Sequence, residues 1–288
     1  MSLRKKAMLT DLNVSMWTAR KYDKSVSENV DSQYNAKDAG RYNKMLVSKE
    51  SIDKISKIVN AARSYQYTNT LPWSDGGYRL LSKRHYFDYM ARMSWYKEQF
   101  DQEVKRFLDS YPAIIEDARL RLSSMYSDKD YPSIGSLANK FSFSVKITPV
   151  PNESDEDIRI GISSDAAKDI EEDLRERINA STQDAMRNLG TRLYDVVSKM
   201  AERLGNMDGV LRNSIIGNIR ELCNLFPVLN IVDDPSLNNL AKEVREKLAK
   251  YDLDDLRGDK DARYRASLEA QAILGKMRAY APGASDDE

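Results

Sequence analysis

From Ile170 to Leu204 one apolar face returns every three or four residues: Ile170, Leu174, Ile178, Ser181, Ala185, Leu189, Leu193, Val196, Met200 and Leu204. The forty residues 165–204 that carry this stripe form a helix of about 60 Å, at ~1.5 Å per residue. A rod of that length cannot bury its stripe against itself. The step is close to a heptad, so the rod is expected to lie along a second long helix. Residues 82–126 supply the natural neighbour. Their apolar positions are Tyr86, Met90, Met93, Phe100, Val104 and Phe107, interrupted by Lys97, then Ile115, Ala118, Leu122 and Met125 in a further segment that starts at Pro112, where a bend is allowed. The expected fold is therefore mainly α, a long antiparallel helical hairpin or coiled-coil bundle. Gly190 is the weak point in the rod, where a kink is expected.

One stretch breaks the helical period. In "FSFSVKIT", Phe141, Phe143, Val145 and Ile147 alternate with Ser142, Ser144, Lys146 and Thr148, and "IRIGI" repeats the alternation at Ile158, Ile160 and Ile162. This predicts one small β-hairpin, whose apolar face must rest on helices or on a partner. Shorter helices are expected at 49–66, 210–226 (stopping at Pro227), from Asp234–Pro235 onward, and at 259–280. Four regions result. Residues 1–81 form a basic, aromatic amino-terminal region and 82–205 the long hairpin, with its β insert at 141–162. Residues 206–280 form the carboxy-terminal helices, and 281–288 a disordered tail.

Several kinds of chemistry find no support in the residues. The chain has one cysteine, Cys223, and one histidine, His85, too few for a His/Cys zinc centre. Cys223 falls on the apolar stripe of an expected helix and reads as a buried, inert thiol, and His85 as a surface or packing residue. Glu153, Asp155 and Asp157 lack the glycine and glutamate that a calcium loop needs, so they read as a solvated turn. Asp128 and Asp130 could form an acid–base pair, but nothing else converges on them and they read as a helix-ending loop. No phosphate-binding loop, nucleophile elbow or metalloprotease motif is present. The expectation is a protein that is not an enzyme and uses no cofactor and no catalytic or metal-binding residues. No apolar run is long enough to span a membrane, and the basic start lacks the apolar core of a signal peptide, so a cytoplasmic place is expected.

Charge divides the chain. Residues 1–100 hold 18 Lys/Arg against 10 Asp/Glu, so +8, and the remainder holds 27 against 35, so −8. All three Trp and 12 of the 16 Tyr precede residue 132. Such a split favours association between subunits, or contact with nucleic acid. For single-stranded nucleic acid the candidates are Trp17, Arg20, Lys21, Tyr22 and Lys24, with Arg79, Lys83 and Arg84. For a protein partner they lie in "LPWSDGGYRLL": Trp73, Asp75, Gly76, Gly77 and Tyr78. A rigid Pro-Trp step beside two glycines can present an aromatic anchor, or can simply turn a corner between two helices.

"LNVSMWTARKYDKSVS", "DAGRYNKMLV", "AARSYQYTNTLPWSDGGYRLL", "FDYMARM" and "KFSFSVKITPVP" together resemble an uncharacterised family of tailed-phage and prophage proteins, over about residues 10–205. The family's loop carries an Asp directly after the Trp, where this chain has Ser74 before Asp75. Relatives of this kind are often encoded near a MoxR-like AAA ATPase and a protein with a von Willebrand A domain. The resemblance implies an adaptor or assembly role in the host cell with one of these as partner, and no catalytic residues. Binding single strands in phage replication or recombination, and blocking a host defence, are the alternatives.

Overall fold

The computed structural model describes residues 3–73, 77–151, 164–207 and 209–281. The second strand expected at 158–162, the acidic run Glu153, Asp155 and Asp157, Asp75 and Gly76 of the loop, and residues 282–288 of the tail lie outside them. Contacts divide the chain into two compact units. The first comprises Met1–Asp11, Tyr67–Phe87 and Ile147–Glu288, and the second Leu12–Gln66 and Asp88–Lys146. The units interleave in sequence, so neither is a single segment.

The first unit is mainly helical. The rod is present as a helix from Ser164 to Gly205, preceded in chain order by five others and therefore α6. Ala185, Leu189, Leu193, Met200 and Leu204 are buried, as the stripe requires, while Ile170 near its start is 42% exposed. Its neighbours correct the expected hairpin. α6 packs along α10 (Lys260–Lys276) and α7 (Ser214–Leu229), with α8 (Pro235–Lys247) and α9 (Leu253–Gly258) completing the layer. Most of 82–126 belongs to the second unit. On the buried face of α10 the small residues Ala266, Ser267 and Ala270 let the rod come close, and Ile273 is buried beside them. α6 shows no break at Gly190. A Cβ there would overlap the ring of Tyr280, so the glycine makes room for an aromatic ring.

Arginines hold the helix ends of this unit. Arg263, 7% exposed, donates to the carbonyls of Leu204 (3.2 Å), Arg203 and Gly209 (both 3.0 Å), and to Asn206, closing the carboxy terminus of α6. Arg257 donates to Leu211 O ahead of α7, and Arg220 to Ala249 O and Tyr251 O in the connection after α8. α8 starts as expected, with Asp234 accepting from the amides of Ser236 and Leu237 and Pro235 in the first turn. α7 runs two residues past Pro227; buried Phe226 and Leu229 keep the last turn helical.

The strand expected at 141–148 is present and belongs to a four-stranded sheet. β1 is Ala7–Ser15, β4 Leu71–Pro72, β5 Arg79–Ser82 and β6 Ser142–Pro149, in the order β4-β5-β1-β6. β5 is antiparallel to β1 (Ala7 opposite Ser82) and to β4 (Leu71 opposite Leu80). "LPWSDGGYRLL" is thus a β-hairpin and not a corner between helices. Gly77, at φ 84°, takes the left-handed conformation its tip requires.

The second unit is organised by aromatic rings. α4 runs unbroken from Tyr86 to Leu122 through Pro112, where a new segment was expected to start. Phe107 and Tyr111 are buried on the turn before the proline, and the Tyr111 hydroxyl donates to Pro132 O at 3.2 Å. That packing outweighs the one backbone bond the proline removes. The buried series on α4 is Tyr89, Met93, Phe100, Phe107, Tyr111 and Ala118, so Tyr89 rather than Tyr86 faces inward. Phe100 meets Phe143 of β6 at 5.7 Å, and Phe107 meets Phe141 at 5.8 Å. α3 (Lys49–Asn69) contributes buried Ile55, Val59 and Ala62. α1 (Leu3–Lys6), α2 (Lys24–Gln33) and α5 (Ile134–Ala138) are further short helices.

Candidate functional site

β2 (Arg20–Tyr22) and β3 (Asn43–Met45) form a separate antiparallel ribbon in the second unit, pairing Arg20 with Met45, Lys21 with Lys44 and Tyr22 with Asn43. Strand residues alternate between faces and directly opposed residues share one. Lys21 and Lys44 therefore share one side, and Arg20, Tyr22, Asn43 and Met45 the other. Ala19, buried and at φ 54°, makes the turn into β2, and its carbonyl accepts from Leu46 N at 2.8 Å. A left-handed alanine is costly, by roughly 1–2 kcal/mol, so the surrounding packing enforces it.

The inner side is an ion network. Asp130 accepts from Lys21 at 2.6 Å and from Lys44 at 2.7 Å, and the side chains of Lys44 and Asp130 are 6% and 7% exposed. Lys44 also lies 3.5 Å from Asp23 and donates to Met125 O at 2.7 Å. Burial works against the charge on Lys44, but the hydrogen bond and field of Asp130, then of Asp23, outweigh it and raise its pKa above the usual lysine value. Burial likewise works against the Asp130 carboxylate, and its bonds to Lys21 and Lys44 hold its pKa below the usual range. Asp23 is lowered first by the Ser25 hydroxyl and then by the Val26 amide, as it caps α2. Tyr131 donates to Leu46 O at 2.7 Å and Arg121 to Met45 O at 2.8 Å, which fixes the far end of β3. Burial pushes the Tyr131 hydroxyl up to about 12.

The outer side is open. Arg20, Tyr22, Asn43 and Met45 are all exposed, Tyr22 by 46% and Met45 by 40%. The Arg41 guanidinium stands 5.9 Å from the Tyr22 ring centroid, within cation–π range. Among the described residues neither Arg20 nor Arg41 has an ion-pair partner. Tyr34 and Tyr42, in the connection between the strands, are also exposed.

The structure separates the residues singled out in the sequence. Trp17 is buried against Phe107 and Tyr111, edge to face with the latter at 6.1 Å, so it is core and offers no free ring face. Lys21 points to Asp130, and Lys24 lies 3.4 Å from Glu28. Arg20 and Tyr22 are the two that come out together. Arg79, Lys83 and Arg84 belong to the first unit. There Arg79 lies over Tyr67 at 4.5 Å and donates to Thr70 Oγ1 at 2.7 Å, Arg84 pairs with Asp233 at 3.2 Å, and Lys83 is exposed. Of the loop candidates, Trp73 and Tyr78 are half-buried against the core of that unit, and Gly77 is exposed. His85 is buried, 2.8 Å from Asn69 Oδ1 through Nε2. Cys223 is buried, and burial raises its thiol pKa.

Arg41, Met45 and the Lys44–Asp130 pair were not legible beforehand. Three-residue strands are too short for periodicity to register, and Asp130 reads as a loop acid until its two lysines are placed around it. Neither family models, nor curated proteins, nor solved structures provide a match to this chain.

Proposed function

We propose that this chain is a non-enzymatic binding protein that acts by protein–protein contact, and that the outer side of the β2–β3 ribbon is the contacting surface. The carrying observation is the ribbon's register: both lysines turn in onto Asp130, leaving Arg20, Tyr22 and Met45 exposed together beside Arg41. Tyr, Arg and Met are the side chains enriched at protein interfaces. The network beneath holds the ribbon in place before a partner arrives, which reduces the ordering cost of binding. Two guanidiniums without an ion-pair partner among the described residues call for an acidic partner surface. The −8 carried by residues 101–288 makes a second copy of the chain the nearest source of one. The resemblance to tailed-phage proteins extends this reading to an adaptor or assembly factor, with a MoxR-like AAA ATPase or a von Willebrand A domain protein as the next partner to test.

Size-exclusion chromatography with light scattering at low salt is the direct test. A species larger than the 32.9 kDa chain is expected, reduced to monomer by Arg20→Glu with Tyr22→Ala. A strict monomer at every concentration, with neither candidate partner retained, would sink the proposal. The combination of Arg41, Tyr22 and Arg20 also favours a second reading, binding of a single nucleic-acid strand. That reading requires a gel shift that weakens with salt and with Tyr22→Ala.

A further inference from the structure

α6 and α7 of the first unit leave an open groove with two adjoining lobes, of about 550 and 430 Å³. Val196, Lys199 and Asn218 line both, so the lobes form one channel. Val196, Lys199, Met200 and Arg203 on α6 are spaced three, one and three apart and fall on one helical face. Across from them α7 presents Ile215, Asn218 and Leu222 at the same kind of spacing.

The charges along this channel are graded. The larger lobe has three cations, Lys199, Arg203 and Arg212, against Glu202, with the Ser214 hydroxyl beside them. The smaller lobe has Arg192 and Lys199 against Asp195 and Glu221, with the Tyr67 ring and the Leu222 side chain. Among the described residues none of these seven charged groups closes an ion pair. Asp195 and Lys199 are four apart on one helix, the spacing at which Lys97–Asp101 (2.5 Å) and Glu243–Lys247 (2.7 Å) do close theirs. Among the described residues Arg192 donates to the carbonyls of Thr68 and Thr70, at 3.4 and 3.0 Å. Burial, and then Arg79, bring its pKa down to about 10.

We infer that this groove binds a nucleoside phosphate, with Lys199, Arg203 and Arg212 on the phosphate and Asp195 and Glu221 accepting from hydroxyl or amino groups of the nucleoside. A purely anionic ligand would meet three carboxylates, and a purely cationic one would meet four cations. A ligand with an anionic end and a donor-rich end satisfies both lobes. Guanidinium forks match phosphate oxygens in pairs, and the lobes fall in the size range of small-molecule sites. This inference is independent of the ribbon surface.

Isothermal titration of the full chain with AMP, adenosine and inorganic phosphate tests it. AMP is expected to bind at least about tenfold tighter than either fragment, the gain of roughly one charge-assisted contact beyond them. Arg203→Ala with Arg212→Ala should cost at least about tenfold in AMP affinity. Asp195→Asn with Glu221→Gln should erase the advantage of AMP over phosphate. All four groups lie at the groove surface, so melting curves should match the parent protein. In the unmodified protein, amide shift changes on adding AMP should cluster on α6 and α7. Absence of heat at millimolar AMP, equal binding of phosphate and AMP, affinity unchanged in the variants, or shifts elsewhere would each overturn the inference.

Discussion

Tyr280 lays its ring directly over the backbone of Gly190: a Cβ added there would stand 2.7 Å from Tyr280 Cγ and closer still to two other ring carbons. The contact fastens the turn after α10 to the middle of the longest helix. Burial against α6 raises the Tyr280 hydroxyl pKa. Gly190→Ala should therefore destabilise the chain by about 1–3 kcal/mol, although alanine is the better helix former. Adding Tyr280→Ala should make the alanine neutral or favourable. Chemical denaturation of the two single variants and the double variant measures the coupling, and strict additivity would refute the contact.

Removing the carboxylate beneath the ribbon should be costly. Asp130→Asn leaves Lys44 buried beside a neutral amide, with an expected loss of about 2–4 kcal/mol. The exposed Asp128, which pairs with Arg119, is the control, and its Asn variant should change stability by less than about 1 kcal/mol.

The same network sets a pH dependence. The pKa values of Asp130 and Asp23 are lowered in the folded chain. Their contribution is present above the unfolded value of about 4 and is lost as pH falls through the folded ones. The pKa of Lys44 is raised, so its contribution holds below the unfolded value of about 10.4 and fades only as pH rises through the folded one. Denaturation midpoints should be flat in this respect between those limits and drop below about pH 4. In Asp130→Asn the acid-side drop should be smaller.

Trp17→Ala should cost about 3–5 kcal/mol, because the indole fills the space beside Phe107 and Tyr111. Trp95→Ala, with its side chain 46% exposed, should cost far less. Any loss of ligand binding in Trp17→Ala should follow the loss of folded protein rather than a missing stacking platform. Far-ultraviolet melts beside the binding assay separate the two.

Arg263 is buried against four carbonyls and has no carboxylate partner among the described residues. Arg263→Met keeps much of the volume and strands those acceptors, with an expected loss of about 2–3 kcal/mol. Hydrogen exchange should accelerate first in the last turn of α6.

The ribbon marks how far local signals reach. Its outer residues Arg20 and Tyr22 stood out beforehand as a basic, aromatic pair. Their separation from Trp17 and Lys21 depends on a strand register that three residues cannot announce. The hairpin at Leu71–Ser82 was hidden for the same reason: β4 is two residues long, and Pro72 and Gly77 suit a corner as well as a tip. α4 shows the opposite failure, where Pro112 signalled a break that buried Phe107 and Tyr111 override.

By itself the sequence determined what repeats along the chain: the α6 stripe, the helix starts at Asp234 and Asp259, the alternation of Phe141 to Ile147 and the burial of Cys223. Those follow from backbone period and from side-chain hydrophobicity, which are local properties. Tertiary structure alone decided that α6 pairs with α10, that Asp130 serves two lysines and that Gly190 seats a tyrosine. Each depends on residues tens to more than a hundred positions apart, and many partners fit an apolar stripe equally well until size and charge are matched in space.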